Sequence, residues 1–405
     1  VTTGLAAQEQ GDGRILANSA TAPDADDAPA ASAKTDADEG DDETGDAKSD
    51  ADEAPTPEGD EFDKLLAKWK ELLAKLHELS LKYQTARPGK DRLPIRKEYD
   101  ALVAQAEELE PKFIAGAMTA YASNANKYRE VGEFLASLVK SYVDVDDYEP
   151  ATEPAKILIE HKYSNPRIFD LIGMAAFCTN DYDTAERYWR QAAKRSALDR
   201  DSEPYLQQID EYRANWQREQ EIREKEAQAD DLPRVLLKTN KGDIVVELFE
   251  NEAPNTVANF ISLVERQFYD DVKFHRVLAH FMAQGGDPDG TGSGGPGYRI
   301  RCECTQPGHR LHFRGSLSMA KQAAPDTGGS QFFLMFRPSG PAAGFNLDGK
   351  HTVFGRVIEG MDVLARLQRI DPEKPKPGVK ADTIIEAKVL RKREHEYVPE
   401  TVPED

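Results

Sequence analysis

The chain is 405 residues long and carries 73 acidic against 52 basic side chains, a formal net charge of -21. That length accommodates two or three domains, and the acidic balance excludes a nucleic-acid backbone as main partner, because phosphate binding needs clustered Lys and Arg. Three cysteines, Cys178, Cys302 and Cys304, are too few for a disulfide framework, and no apolar run reaches the roughly 18 residues of a membrane span.

Val1 to Ala7 are small and mostly apolar and give way to polar sequence, the pattern of a secretory signal's tail. Export to a periplasm or cell envelope is the expectation, a cytoplasmic placement the alternative. Residues 1–61 are built from Ala, Asp, Glu, Pro, Gly and Ser, and carboxylates outnumber the three bases Arg14, Lys34 and Lys48 several-fold. Such a composition cannot bury enough apolar surface to fold, so a disordered acidic tether is expected.

A helical domain is expected over 62–230. Phe62, Trp69, Leu76 and Tyr83 recur every seven residues with leucines between them, a stripe of the kind one helix buries against another. Pro88-Gly89 ends that helix, and a second is predicted from Pro94 to Leu109, making a helical hairpin. An internal repeat follows. Asp147-Tyr148-Glu149-Pro150-Ala151 returns as Asp181-Tyr182-Asp183-Thr184-Ala185, thirty-four residues on, with apolar flanks in step. That period, with small residues such as Gly173 and Ala185 between two helices, resembles the tetratricopeptide repeat. Two copies are predicted, and a third around Ala101 to Lys127. Each repeat must stack on a neighbour to bury its apolar face, and the helix from Pro204 to Gln228 caps the stack. A protein partner on these repeats is one expectation, and a spacer is the other.

Helical composition stops at Ala229 to Pro233, and strand alternation begins. Over 233–391 strands are predicted at Arg234–Thr239, Asp243–Phe249, Lys273–Val277, Phe281–Gln284, Ser316–Ala320, Gln331–Phe336, Thr352–Val357 and Thr383–Leu390. An amphipathic helix with Val257, Phe260, Ile261 and Val264 on one face is expected from Pro254 to Gln267, and a second from Met361 to Gln368. Many short strands with two helices predict a closed antiparallel β-barrel capped by helices. Residues 392–405 read as a polar tail.

The chemistry gathers in three stretches. Phe274 to Gly290, FHRVLAHFMAQGGDPDG, sets Arg276 beside Phe281, Met282 and Gln284. A cation fixed at the rim of an apolar pocket suits a substrate with an apolar ring and a polarisable amide. Gly315 to Phe333 offers an edge at Ala320-Lys321-Gln322, then Gln331 and Phe333. Asn346 to Gly355 adds Leu347 and His351. Residue by residue, the Phe and Met could equally be barrel core, and His351 a satisfied histidine. Together, FHRV, FMAQGGD, GTG, SLSMA, GSQFF and LDGKHTVFG in this order resemble the cyclophilin family of peptidyl-prolyl cis-trans isomerases.

The resemblance implies rotation about X–Pro bonds in client proteins, during folding, without a cofactor or metal. It implies that Arg276, Gln284, Phe281 and His351 are catalytic. It also implies that Met282, Gly290, Ala320, Lys321, Gln331, Phe333, Asn346 and Leu347 bind the substrate. Asn346 stands before Leu347 where the family often carries a tryptophan, which implies weak cyclosporin binding. Lys321-Gln322 replace Asn-Ala, and Ala279-His280 replace Pro-Gly. Cys302 and Cys304 with His309 and His312 lack a standard zinc spacing and read as free thiols or a redox-responsive pair.

Overall fold

The computed structural model describes residues 57–403 except 88, 90 and 341–343. The expected leader remnant at 1–7 and nearly all of the acidic stretch lie outside the described residues. The chain divides into two compact units, one within Ile15–Tyr128 and one that holds Arg129–Asp405. The division therefore falls inside the expected 62–230 domain and not at its end.

In the first unit, helices α1 (Pro57–Thr85) and α2 (Arg92–Ser123) pack side by side. The seven-residue stripe is the seam: Phe62, Trp69, Leu72, Leu76 and Leu79 are all buried. Trp69 stacks on Phe113 with ring centroids 4.7 Å apart. A methyl on Gly116 would stand 2.9 Å from the Phe62 ring, so a side chain there would push the two helices apart. Helix α2 runs past its predicted end at Leu109, with Pro111 inside it. Proline costs a helical hydrogen bond; burial of Phe113, Ala117, Ala120 and Tyr121 beyond it carries the helix on. A single helix thus spans most of the stretch read as a third repeat.

The second unit opens with helices α3 (Arg129–Asp144), α4 (Thr152–Glu160), α5 (Ile168–Cys178), α6 (Tyr182–Lys194), α7 (Glu203–Gln207) and α8 (Ile209–Ala229). Asp181 caps α6 by accepting from the Thr184 amide. Gly173 presses against Trp189, where a methyl would lie 2.4 Å from the indole. Helix α8 turns Tyr212 to Phe177, Tyr182 and Tyr205 of the helices before it, and two carboxylates to a loop among the strands that follow. Arg310, 3% exposed, donates from Nε to Glu219 Oε2 (2.9 Å) and from Nη2 to Glu219 Oε1 (2.6 Å), and also pairs with Glu226.

Those strands are β1 (Arg234–Thr239), β2 (Gly242–Leu248), β3 (Val272–Lys273), β4 (Arg276–Leu278), β5 (Met282–Gly285), β6 (Tyr298–Ile300), β7 (Ser316–Met319), β8 (Phe332–Met335), β9 (Val353–Glu359), β10 (Thr383–Arg391) and β11 (Thr401–Pro403). Nine form one antiparallel sheet in the order β3-β10-β1-β2-β9-β7-β8-β5-β4. Helix α9 (Pro254–Glu265) supplies Val257, Phe260, Ile261 and Val264 to the core, and α10 is Met361–Arg366. Phe260 meets Phe332 edge-on at 5.5 Å. The α9 N-terminus is held by Glu303, which accepts from the amides of Asn255 and Thr256.

Two expectations are corrected. The barrel is not closed; the sheet curls into a half-barrel with β3 and β4 as its ends. These strands are neighbours in sequence, separated only by Phe274-His275, and the chain gives its first half to β10 and its second to β5. Beyond these ladders, isolated bridges join Lys273 to Asp287 and Val277 to Ile370. The expected polar tail is also part of the fold: β11 pairs with β6, and Tyr397, 6% exposed, donates to Glu250.

Candidate active site

Strand pairing builds the site as a row. Arg276 on β4 stands opposite Gln284 on β5, Gln284 opposite Phe333 on β8, and Phe333 opposite Ser318 on β7. The adjacent row, Val277, Ala283, Leu334 and Leu317, is at most 1% exposed and belongs to the main core. Side chains alternate across a sheet, so burying that second row turns Arg276, Gln284 and Phe333 to the other face. A one-residue slip would exchange the two sets.

On that face lies a cavity of about 330 Å³. Ten of the twelve residues singled out in the sequence line it: Arg276, Phe281, Met282, Gln284, Ala320, Lys321, Gln331, Phe333, Leu347 and His351. Its floor is a small apolar cluster of Met282, Phe333 and Met335, with Leu278, Phe281, Ala320, Phe345 and Leu347 packed against it. The Phe345 ring lies tilted against that of Phe281, centroids 4.1 Å apart, and went unnoticed in the sequence, since an aromatic in a loop carries no periodic signal.

The polar rim is partly committed and partly open. Gln284 Nε2 donates to Gln331 Oε1 (2.9 Å), and Gln331 Nε2 donates to the Gly294 carbonyl (2.9 Å). This relay leaves Gln284 Oε1 without a protein partner among the described residues. The Arg276 guanidinium has no hydrogen bond or ion pair among them either; its Cζ stands 5.7 Å from the Phe281 ring centroid. The His351 Nδ1–H donates to the Met319 carbonyl (3.0 Å), which fixes the ring, and its edge meets Phe333 at 5.6 Å. Burial pushes the His351 imidazolium below its usual pKa; the Met319 hydrogen bond opposes this but does not cancel it. The neutral imidazole is therefore the favoured form of His351.

Two expected residues lie elsewhere. Gly290 sits with φ +65 beside Lys273, outside the cavity lining. The wall expected of it is formed by Gly292, Ser293, Gly294 and Gly295. Asp287, fully buried, shapes that loop by accepting from the amides of Asp289 (2.8 Å) and Thr291 (3.0 Å) and from that of Gly292. A methyl on Gly294 would lie 2.0 Å from Asp287 Oδ1. Asn346 is exposed and spends its side chain on the Asp348 amide (3.2 Å). The Ala320 main chain is half committed as well, since its N–H bonds the Gln331 carbonyl.

His312 is a supporting residue that sequence reasoning weighed only for metal. It is 2% exposed and lies parallel to Phe333 at 5.9 Å. Its Nδ1 is 2.7 Å from Asp348 and its Nε2 2.9 Å from Ser318 Oγ, so both ring nitrogens are engaged by protein. Those partners come from separate stretches, and no spacing rule connects them. Cys302 Sγ lies 3.5 Å from Thr352 Oγ1, and Cys304 is buried; both are free thiols.

Residues 234–389 match the family model described as cyclophilin type peptidyl-prolyl cis-trans isomerase/CLD. A peptidyl-prolyl cis-trans isomerase of Helicobacter pylori is 51% identical over 137 residues, 33% of this chain and 80% of that protein. One from Synechococcus elongatus is 50% identical over 142 residues, covering 35% and 92%. Peptidyl-prolyl cis-trans isomerase B of Bacillus subtilis is 48% identical over 128 residues, covering 32% and 85%. A crystal structure of a cyclophilin type isomerase from Cryptosporidium parvum aligns with 40% of this chain and 99% of its own, at 30% identity and a TM-score of 0.35.

Proposed function

The chain belongs, through residues 234–389, to the cyclophilin-type peptidyl-prolyl cis-trans isomerases, and we propose that its Arg276 guanidinium carries the catalysis. Rotation about an X–Pro bond is opposed by amide resonance, with a barrier of about 18–20 kcal/mol. No bond is made or broken, so the site needs neither nucleophile nor metal. It must grip the proline ring, let the preceding residue swing, and favour the twisted amide over the planar one.

In the twisted state the imide nitrogen turns pyramidal and gains a lone pair. A donor aimed there is stronger in the transition state than in the ground state, which is the condition for raising the rate. Phe281, Met282, Phe333 and Leu347 hold the ring, and Gln284 Oε1 receives a donor from the substrate backbone or from Arg276. Neutral His351 closes the pocket without competing for charge. The observation that supports this reading is the unpaired guanidinium at the rim of an apolar floor.

A coupled isomerisation assay on a short X–Pro peptide tests it. Removing one transition-state donor costs about 10²–10³-fold, so Arg276→Ala should fall by that order, with Arg276→Lys recovering only part. Equal rates in wild type and Arg276→Ala would end the proposal.

We also read α3 with α4, and α5 with α6, as tetratricopeptide-like repeats; the thirty-four-residue offset and the Gly173–Trp189 contact support it. A groove of about 430 Å³ on these helices, with Leu171 and Met174 in its lining, favours a polypeptide partner there. Leu171→Arg should then weaken binding of an unfolded proline-containing polypeptide while leaving the rate on a short peptide unchanged. Equal binding by the two proteins would reduce the helices to a spacer.

A further inference from the structure

Strand β4, which carries Arg276, is the last strand of the sheet. One edge pairs with β5 over three residues. Its other edge is held by a single bridge, in which Val277 and Ile370 exchange both backbone hydrogen bonds (2.7 and 2.9 Å). Outermost strands with short ladders are the easiest part of a sheet to move. The turn from β4 to β5 adds to this: His280 at its apex has φ 64, a left-handed conformation that glycine adopts freely and other residues seldom do. Barrel contacts alone leave the catalytic strand weakly fixed.

Both weak points are held by one side chain from outside the sheet. Helix α3 ends at Asp144, and Asp146 follows in the left-handed conformation (φ 64), its amide donating back to the Val143 carbonyl. Asp and Asn are the non-glycine residues that best tolerate this position. The Asp146 carboxylate, on a residue 1% exposed, is then surrounded by donors. Oδ2 accepts from the His280 backbone N–H (3.0 Å) and from Arg369 Nη2 (2.8 Å). Oδ1 accepts from the Tyr148 hydroxyl (2.7 Å) and lies 2.8 Å from His280 Nδ1, which Arg337 Nη2 also approaches at 2.9 Å. Arg369 Nη2 also reaches the Val145 carbonyl (2.7 Å). Arg369 immediately precedes Ile370, the residue that bridges the free edge of β4. One carboxylate therefore grips the turn at the end of β4 and the segment along its side.

We propose that Asp146 is a positioning residue for the isomerase: through His280 and Arg369 the helical segment sets the placement of Arg276 and Phe281. The helices after Tyr128 are then a working part of the enzyme and not a stalk beneath it. This rests on the reading of Arg276 as the donor. The pair Ala279-His280 belongs to the same device, since a turn kept in shape from outside has no need of glycine at its apex.

The test uses the full chain and three variants, assayed on a short X–Pro peptide with kcat and KM separated and with amide hydrogen exchange followed over 278–282. Asp146→Ala should lower kcat/KM about ten-fold, mostly through kcat, because displacement of about 1 Å at a catalytic group costs up to 10²-fold. Exchange at 278–282 should speed up alongside. Asp146→Asn keeps the shape and one acceptor oxygen; it should lose only about three-fold and is the variant to read if Asp146→Ala does not fold. Glu149→Ala is the control. Glu149 joins the same helical segment to Arg314 (2.8 Å) but touches neither the turn nor Arg369, and it should keep wild-type kcat and exchange. Wild-type kcat in both Asp146 variants, or an equal loss in Glu149→Ala, overturns the proposal. An Arg276→Ala protein with full activity overturns the donor reading instead.

Discussion

Replacing Arg310 by methionine removes a charge from the junction between α8 and the sheet while keeping most of the side-chain stem. Arg310 and Glu219 are 3% and 5% exposed, and Glu226 is 8% exposed, so water cannot compensate the two carboxylates left behind. Breaking a buried pair by removing one partner costs about 3–5 kcal/mol. Here both carboxylates keep a second cation, Glu219 through Arg223 (2.8 Å) and Glu226 through Arg356 (2.8 Å), which places the loss at the lower end. Arg310 also lies 3.8 Å over the Phe249 ring, a contact worth about 0.5–2 kcal/mol that methionine replaces in part. A net loss of about 3 kcal/mol lowers the melting midpoint by roughly 5 °C for a unit of this size. Thermal unfolding followed by circular dichroism reads this directly. Burial works to raise the Glu219 carboxyl, but Arg310 outweighs it and holds the group below the usual range. That stabilisation is full above the unfolded carboxylate pKa of about 4.3 and is lost as pH falls through the lower folded value. The gap between wild type and Arg310→Met should therefore narrow in acid. A single variant melting within 1 °C of wild type would refute the reasoning.

Three further outcomes are expected. Because burial lowers the His351 pKa, the unfolded chain takes up a proton near its ordinary value of about 6.5 that the folded chain refuses; stability should fall from pH 7.5 to 5.5, and His351→Asn should flatten that slope in urea titrations. Gly294→Ala puts a methyl 2.0 Å from Asp287 Oδ1, so the cavity wall must shift, and KM for an X–Pro peptide should rise several-fold with kcat less affected. Gln284→Glu sets a carboxylate opposite Arg276; neutralising the free cation should make it slower than Gln284→Ala at pH 7, and the reverse order would show that the amide matters more than the charge.

The cavity lining was legible because its residues fall in short strands whose two-residue period separates pocket from core. Arg276 and Val277, or Phe333 and Leu334, are adjacent letters with opposite duties, and the motif blocks record that alternation. What joins the blocks was hidden. The Arg276–Gln284–Phe333 row is a fact of register, and the His312–Asp348–Ser318 links span three stretches. Helix α2 passes Pro111 because burial outweighs the lost hydrogen bond. Which strands end the half-barrel is likewise a matter of pairing: 272–273 goes to β10 and 276–278 to β5. The change of composition near Asp230 marks where helices give way to strands. Packing ignores it, since Arg310 meets Glu219 across 91 residues of chain. The same blindness let 392–405 read as a tail: Tyr397 and β11 are single contacts within a polar segment.

Arginine is used here in two ways, and the difference separates structure from chemistry. Arg310, Arg314, Arg337 and Arg356 are each held by a carboxylate or by a buried hydroxyl, and each fastens helices to sheet. Their charges are spent on protein. Arg276 sits among apolar side chains at the end of the sheet with its donors unspent, in a chain whose 73 acidic side chains make an unpaired cation costly to keep. The donor we propose for the weakly basic imide nitrogen must stay in that state, because any carboxylate within reach would bind it more tightly than the substrate could. The cleft provides for this with an uncharged amide at Gln284, a neutral imidazole at His351 and thioether and aromatic walls. The carboxylate nearest in purpose, Asp146, steadies the strand through His280 and Arg369 and is itself taken up by them and by Tyr148. Orientation is thus delegated to charges buried behind the strand, and the face turned to the substrate keeps one uncompensated guanidinium.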